Sequence, residues 1–168
     1  HDHFRKNLTD IIGLGTGSGA KVIVSTMVSN LKDCPPFGSM HRPGLSDGQL
    51  KDWEKLYSLA TAAEQNRNFS EAIRNYALAA QIDNEFAELH FRWGRCSLAT
   101  GNLDDAKVHF VLARDLDTLR FRTDSHLNEL IRQIAGGSIS GPVRLMDAEK
   151  EFNARSPDQI AGSQFLYE

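Results

Sequence analysis

Four glycines at alternate positions, Gly13, Gly15, Gly17 and Gly19, followed by Ala20, are the residues whose spacing most suggests chemistry. On paper they fit a lenient dinucleotide fingerprint, in which backbone amides of a tight turn cradle a pyrophosphate. That device needs a strand, then the glycine turn, then a helix whose N-terminus meets the phosphate. Here the order is reversed. Phe4, Leu8, Ile11, Ile12 and Leu14 recur at helical spacing, so a helix comes first and is expected to stop at Gly13 or Gly15. Val22, Ile23 and Val24, then Thr26 and Val28, read as the strand that follows. A helix ending in glycines turns its carbonyls to the loop, and these repel phosphate. The stretch reads as a flexible connection from helix to strand, and no nucleotide cofactor is expected.

Other reactive residues are scattered. Cys34 and Cys96 are the only thiols, in no framework of spacings that supports a disulfide. Among six histidines only His1 and His3 are close in sequence, and no metal site is expected. Ser25, Ser29 and Ser39 lie in no Gly-x-Ser-x-Gly elbow. Asp104-Asp105 reads as charge complementing a helix N-terminus. Asp147, Glu149 and Glu151 read as a solvated face, and His109 as a helix residue without a ligand role.

The elements that would position these groups belong to one ordinary domain, or one compact unit with short additions, within 168 residues. A hydrophobic share of 40% and a charged share of 24% are those of a globular protein, expected to be soluble. A net charge of -3 gives no electrostatic reason to expect nucleic acid or an anionic membrane as partner. No run reaches the ~18 apolar residues of a membrane-spanning helix. The opening His1-Asp2-His3 is neither a methionine nor a signal peptide; it is expected to be the start of a fragment, which leaves the compartment open.

Asp33 to Gly44 is an irregular linker interrupted by prolines and glycines. Ser46-Asp47-Gly48-Gln49 is a capping box, and helix after helix is expected from there to about Ala135. Beyond Gly136-Gly137, Val143 to Met146 fits strand or helix equally. Asp147 to Asn153 could be a helix, and Ser156-Pro157-Asp158-Gln159 is another helix-start signature.

Within the helical region Asn68 to Ala79 maps onto Asn102 to Ala113 at a shift of 34 residues, with Asn, Ala, Leu and Ala identical and Tyr76 facing Phe110. A two-helix unit of this period resembles the tetratricopeptide repeat. His90, Trp93, Gly94, Ser97, Ala106, Phe110 and Ala113 carry the pattern in the second unit. Leu56, Leu59, Ala60, Ala63, Ala72, Tyr76 and Ala79 carry it in the first. The family's closing proline is replaced by Asn84 and Thr118, and its turn glycine in the first unit by Arg67. Asp124 to Ala135 reads as a helix capping the open end of the second repeat rather than as half of a third.

The resemblance implies a groove lined by the first helix of each unit. Tyr57, Thr61, Phe91, Arg92, Arg95 and Arg122 are the candidate peptide-binding residues, suited to an extended acidic peptide. They do not reproduce the carboxylate clamp of chaperone-tail repeats. Packing of that face against the rest of the same protein is the competing expectation, because two repeats are fewer than the roughly three needed to stand alone.

The flanks suggest an α/β sheet interrupted by an insertion. "AKVIVSTMVSNLKDCPPF" resembles the strand and loop beside the active site of an SGNH (GDSL-type) hydrolase. "SPDQIAGSQFLYE" resembles the approach to that family's final acid-x-x-His block. The resemblance implies Glu168 at the acid position and a catalytic His beyond the chain. No nucleophile-bearing Gly-Asp-Ser block occurs in these residues, so no triad is complete here.

The expected architecture is therefore mainly α: tetratricopeptide helix-turn-helix repeats with a capping helix, flanked by short α/β segments. The divisions fall at 1–45, 46–135 and 136–168. The expected function is protein or peptide interaction and scaffolding, without cofactor, metal, nucleic acid or membrane. The partner is a protein or peptide, or another part of the same parent chain. The alternative is a repeat-bearing piece of an SGNH-type esterase whose nucleophile lies elsewhere.

Overall fold

A computed structural model describes residues 1–136 and 142–166. The chain is mainly α with a small parallel sheet. Helix α1 (Asp2–Gly17) precedes strand β1 (Val22–Ser25); the helices α2 (Asp47–Gln65), α3 (Phe69–Ile82), α4 (Ala87–Ala99), α5 (Leu103–Asp115) and α6 (Ser125–Gly136) follow. Strand β2 (Val143–Met146), helix α7 (Ala148–Arg155) and a 3-10 turn (Pro157–Gln159) complete the described chain.

The capping box forms as expected. The Ser46 hydroxyl accepts from the Gln49 amide, and the Gln49 side chain accepts from the Ser46 amide. From there α2–α3 and α4–α5 form two antiparallel hairpins. Three backbone hydrogen bonds of their turns recur at the 34-residue shift. Asn66 and Thr100 amides donate to Ala62 and Cys96 carbonyls, Arg67 and Gly101 to Glu64 and Leu98, and Asn68 and Asn102 to Ala63 and Ser97. Arg67 takes the left-handed conformation (φ 58°) that Gly101 takes in the second turn (φ 78°). Small residues set the helix spacing. Ala60, Ala72 and Ala106 are fully buried, and a Cβ added at Gly94 would lie 3.0 Å from the Phe110 ring and 3.2 Å from the Ala106 carbonyl. Tyr76 and Phe110 are each buried in the core of their hairpin.

Several expectations are corrected. Helix α1 runs through Gly13 and Gly15 to Gly17, because Thr16 and Ser18 hydroxyls bond carbonyls of the preceding turn and Gly19 (φ 83°) makes the reversal. Val143–Met146, open between strand and helix from its sequence, is a strand parallel to β1, paired Val22 with Val143 through Ser25 with Met146. Strand β1 ends at Ser25 rather than running on to Val28. The amide and carbonyl of Met27 are taken by the side-chain amide of the buried Asn128. Ser156–Gln159 starts no long helix: Asp158 and Gln159 both have positive φ, so only a 3-10 turn forms.

The expected capping helix has another role. The apolar face of α6, Ile131 and Ala135, packs on Val24 and Val143 of the sheet and on Phe4, Leu8 and Ile12 of α1. The open end of the second hairpin is instead covered by Leu31 and Ile160, which pack on Phe91, Phe110 and Ala113. The two capping segments are joined, since the Leu31 amide donates to the Ala161 carbonyl. Asp147 and Glu149 are not merely solvated. Arg132 of α6 binds both carboxylates, and the buried Arg114 of α5 binds Glu149, Asp115 and the Ser125 hydroxyl. These ion pairs tie the hairpins to the α/β elements.

Candidate functional site: the face of α2 and α4

The hairpins stack through α3 and α4, and Arg92 and Arg95 of α4 reach Glu64 of α2 across the seam. Tyr57 is half-buried, stacked on Trp53 at 4.7 Å and close to Phe86. Burial pushes its phenol up to about 12, although the neighbouring Arg92 guanidinium opposes the shift. Thr61, one helical turn on, donates its hydroxyl to the Ser58 carbonyl and is partly exposed.

The centre of this face is Glu64, which is only 9% exposed. Its carboxylate accepts from the Tyr76 hydroxyl at 2.8 Å and from Arg92 at 3.1 Å, with Arg95 at 3.8 Å. Arg92 is held on its other side by Glu88 at 2.9 Å. A guanidinium between two carboxylates has little charge left for a ligand. Arg95 is different: its side chain is 56% exposed and its one ion pair is long. Arg67 is exposed beside it, and both line a cleft of about 350 Å³ with Glu64, Phe69, Arg92 and Ala99.

Two candidate residues lie elsewhere. Phe91 is 7% exposed and packs edge-on against Phe110 under Leu31 and Ile160, so it belongs to the core and not to a groove. It stands 34 residues after Tyr57, at the equivalent position of the second hairpin, where Leu31 and Ile160 cover it. Arg122 lies in the loop after α5 and clamps the linker, donating to the carbonyls of Asn30, Cys34 and Pro35 and to Asp117. The structure thus gathers Tyr57, Thr61, Arg92 and Arg95, and separates Phe91 and Arg122 from them.

The linker also answers where intramolecular packing occurs. Asp83 and Asp117, equivalent at the 34-residue shift, are both buried and both bind it. Asp117 accepts from the amides of Phe37 and Gly38; Asp83 accepts from His41 at 2.7 Å and from the Arg42 amide. Between them the Ser39 hydroxyl accepts from the Glu88 amide, capping α4, which has no cap of its own. The 34-residue register alone shows these aspartates as equivalent, and nothing within either unit signals the distant linker that they bind. The strap they hold runs along the interhelical turns, and the α2–α4 face stays open.

A second cleft, of about 200 Å³, lies beyond the carboxyl end of β1, lined by Met27, Ser29, Asn30, Phe121, Thr123 and Leu166 among others. Glu168, the position the hydrolase resemblance assigns to the acid, falls outside the described residues. Among the described residues no cluster of His, Cys, Asp or Glu has the grouping of a metal site. No described helix is long and apolar enough to cross a membrane. In comparisons with protein-family models, curated proteins and solved structures, nothing matches the chain.

Proposed function

We propose that the chain is a protein-interaction module of the tetratricopeptide type, which receives an extended acidic peptide along α2 and α4. The observation that carries this reading is the pair of hairpins with equivalent turns, whose shared face keeps Tyr57, Thr61 and Arg95 accessible while the linker occupies another edge. Tyr57 supplies a flat apolar platform, and Arg95, with Arg67 beside it, supplies cations that a carboxylate can reach. Arg92 contributes by holding Glu64 neutralised rather than by meeting the ligand. Binding of a fluorescently labelled Glu-rich peptide to the whole chain, followed by anisotropy, tests the reading. Arg95→Glu is expected to weaken binding at least tenfold, because it reverses the most accessible charge. Equal affinity in the two proteins overturns it.

A second reading is favoured by the sheet. The hairpins are inserted between two strands that pair in parallel, and Ile23 and Met146 on one face of that sheet are exposed. Parallel sheets are ordinarily covered on both faces and contain more strands. This supports a larger α/β unit interrupted by the repeats, as in the SGNH-type esterase alternative, with the cleft at Ser29 and Asn30 beside its reaction centre. The product of the full gene is then expected to hydrolyse p-nitrophenyl acetate through a serine outside this chain. Absence of turnover in that product contradicts the alternative and leaves the interaction reading intact.

A further inference from the structure

One of the buried places at which the two hairpins differ carries a pair of histidines. Where the first has Leu56 and Asn75, the second has His90 and His109, 34 residues on. These histidines are 4% and 7% exposed and face each other across the seam between α4 and α5, with Nδ1 to Nδ1 at 2.9 Å and rings stacked. The hydrogen bonds determine the protons. His90 Nε2 lies 2.7 Å from the Asn84 carbonyl, which can only accept, so Nε2 carries the proton and Nδ1 of a neutral His90 must accept. His109 therefore donates from its own Nδ1, and its Nε2 is left as a bare lone pair. That lone pair faces Asp105 Oδ1 at 3.6 Å, beyond hydrogen-bond reach, while the other Asp105 oxygen holds Trp93 and Ser97 of α4.

We propose that His90 and His109 form a proton-operated catch, closed while both rings are neutral and released by acid, so that the second hairpin opens before the first. Adding a proton to His90 puts two N–H groups against one another at the Nδ1 contact and breaks the chain. Adding one to His109 creates a buried cation. The charged groups facing the pair are Asp83 at the end of α3, already bound to His41 of the linker, and Asp105 on α5. The Trp93 ring, stacked 3.8 Å from His109, covers its outer side.

Burial is the largest influence and lowers both histidines. For His109 it combines with the neighbouring His90 to bring the value to about 4, against the opposing pull of Asp105. The direction of the linkage follows. A base whose folded-state value is depressed binds protons preferentially when unfolded, so its contribution is complete above about 6.5 and declines as pH falls toward about 4. For His109 alone the ratio of folded to unfolded chain is expected to fall about tenfold per pH unit over that window.

The inference does not depend on peptide binding, and the repeat supplies its own control. His90→Leu with His109→Asn places the residues of the first hairpin into the second. Hydrogen exchange on the whole chain between pH 7 and 4.5, corrected for intrinsic rates, is expected to show α4 and α5 amides losing protection ahead of α2 and α3. The double variant is expected to lose that difference. Nitrogen shifts of the wild-type imidazoles give a second measurement: His90 with its proton on Nε2, His109 on Nδ1, and neither titrating near 6.5. A tautomer pair opposite to this, an ordinary titration of His109, or the same acid response in the double variant overturns the proposal.

Discussion

Arg67 occupies a backbone conformation that its neighbour in the repeat assigns to glycine. Its φ of 58° lies in the same left-handed region as the 78° of Gly101, in a turn that shares three backbone hydrogen bonds. A side chain in the left-handed region costs about 1 kcal/mol, which glycine avoids but partly offsets through its greater freedom when unfolded. Arg67→Gly is therefore expected to raise the free energy of unfolding by about 0.5 kcal/mol. Denaturant titration checks this; a loss of stability would mean that Arg67 holds contacts stronger than its strain. At the same scale Glu64 decides which arginine is available. Two hydrogen-bond donors, Tyr76 and Arg92, and a second cation, Arg95, converge on one buried carboxylate, so Arg92 is internally matched and Arg95 is the more accessible charge.

At the level of elements, legibility followed the reach of the signal. The hairpins were readable because the 34-residue register repeats residue types whose sizes set helix spacing: Ala60 and Gly94 against Ala72 and Ala106. The capping box at Ser46 was readable because both partners lie within four residues. The end of α1 was not, since hydroxyl–carbonyl bonds from Thr16 and Ser18 carry a helix through glycines that propensity alone would stop. Strand β2 has only four residues, and its state was decided by pairing with β1, more than a hundred positions earlier. Helix α6 showed its apolar stripe plainly, but a stripe does not say what it faces. The sheet and α1 took it, and the hairpin end took Leu31 and Ile160. Of the candidate site, Tyr57, Thr61, Arg92 and Arg95 followed from helical phase along one face. Phe91 shares its repeat position with Tyr57 but is covered by Leu31 and Ile160, which are distant in sequence, and Arg122 follows α5 in a loop, where no periodicity guides placement.

Across the whole molecule, two hairpins too few to be self-sufficient are completed by the segments on either side of them. Leu31 before the hairpins and Ile160 after them meet on Phe110 and Ala113, joined by the Leu31 to Ala161 hydrogen bond. This predicts that Ile160→Ala, far from the repeat in sequence, destabilises the hairpins as a core truncation does, by about 3 kcal/mol in denaturant unfolding. A change within about 0.5 kcal/mol would show that the end of the array does not need its cover. The function we propose uses the face of α2 and α4. Its most direct test is an NMR titration of the isotope-labelled chain with an extended Glu-rich peptide. The predicted result is amide shifts centred on Tyr57, Thr61 and Arg95 that vanish in Arg95→Glu. An unperturbed spectrum, shifts confined to the strap at Phe37–Arg42, or the same shifts in the variant would contradict it.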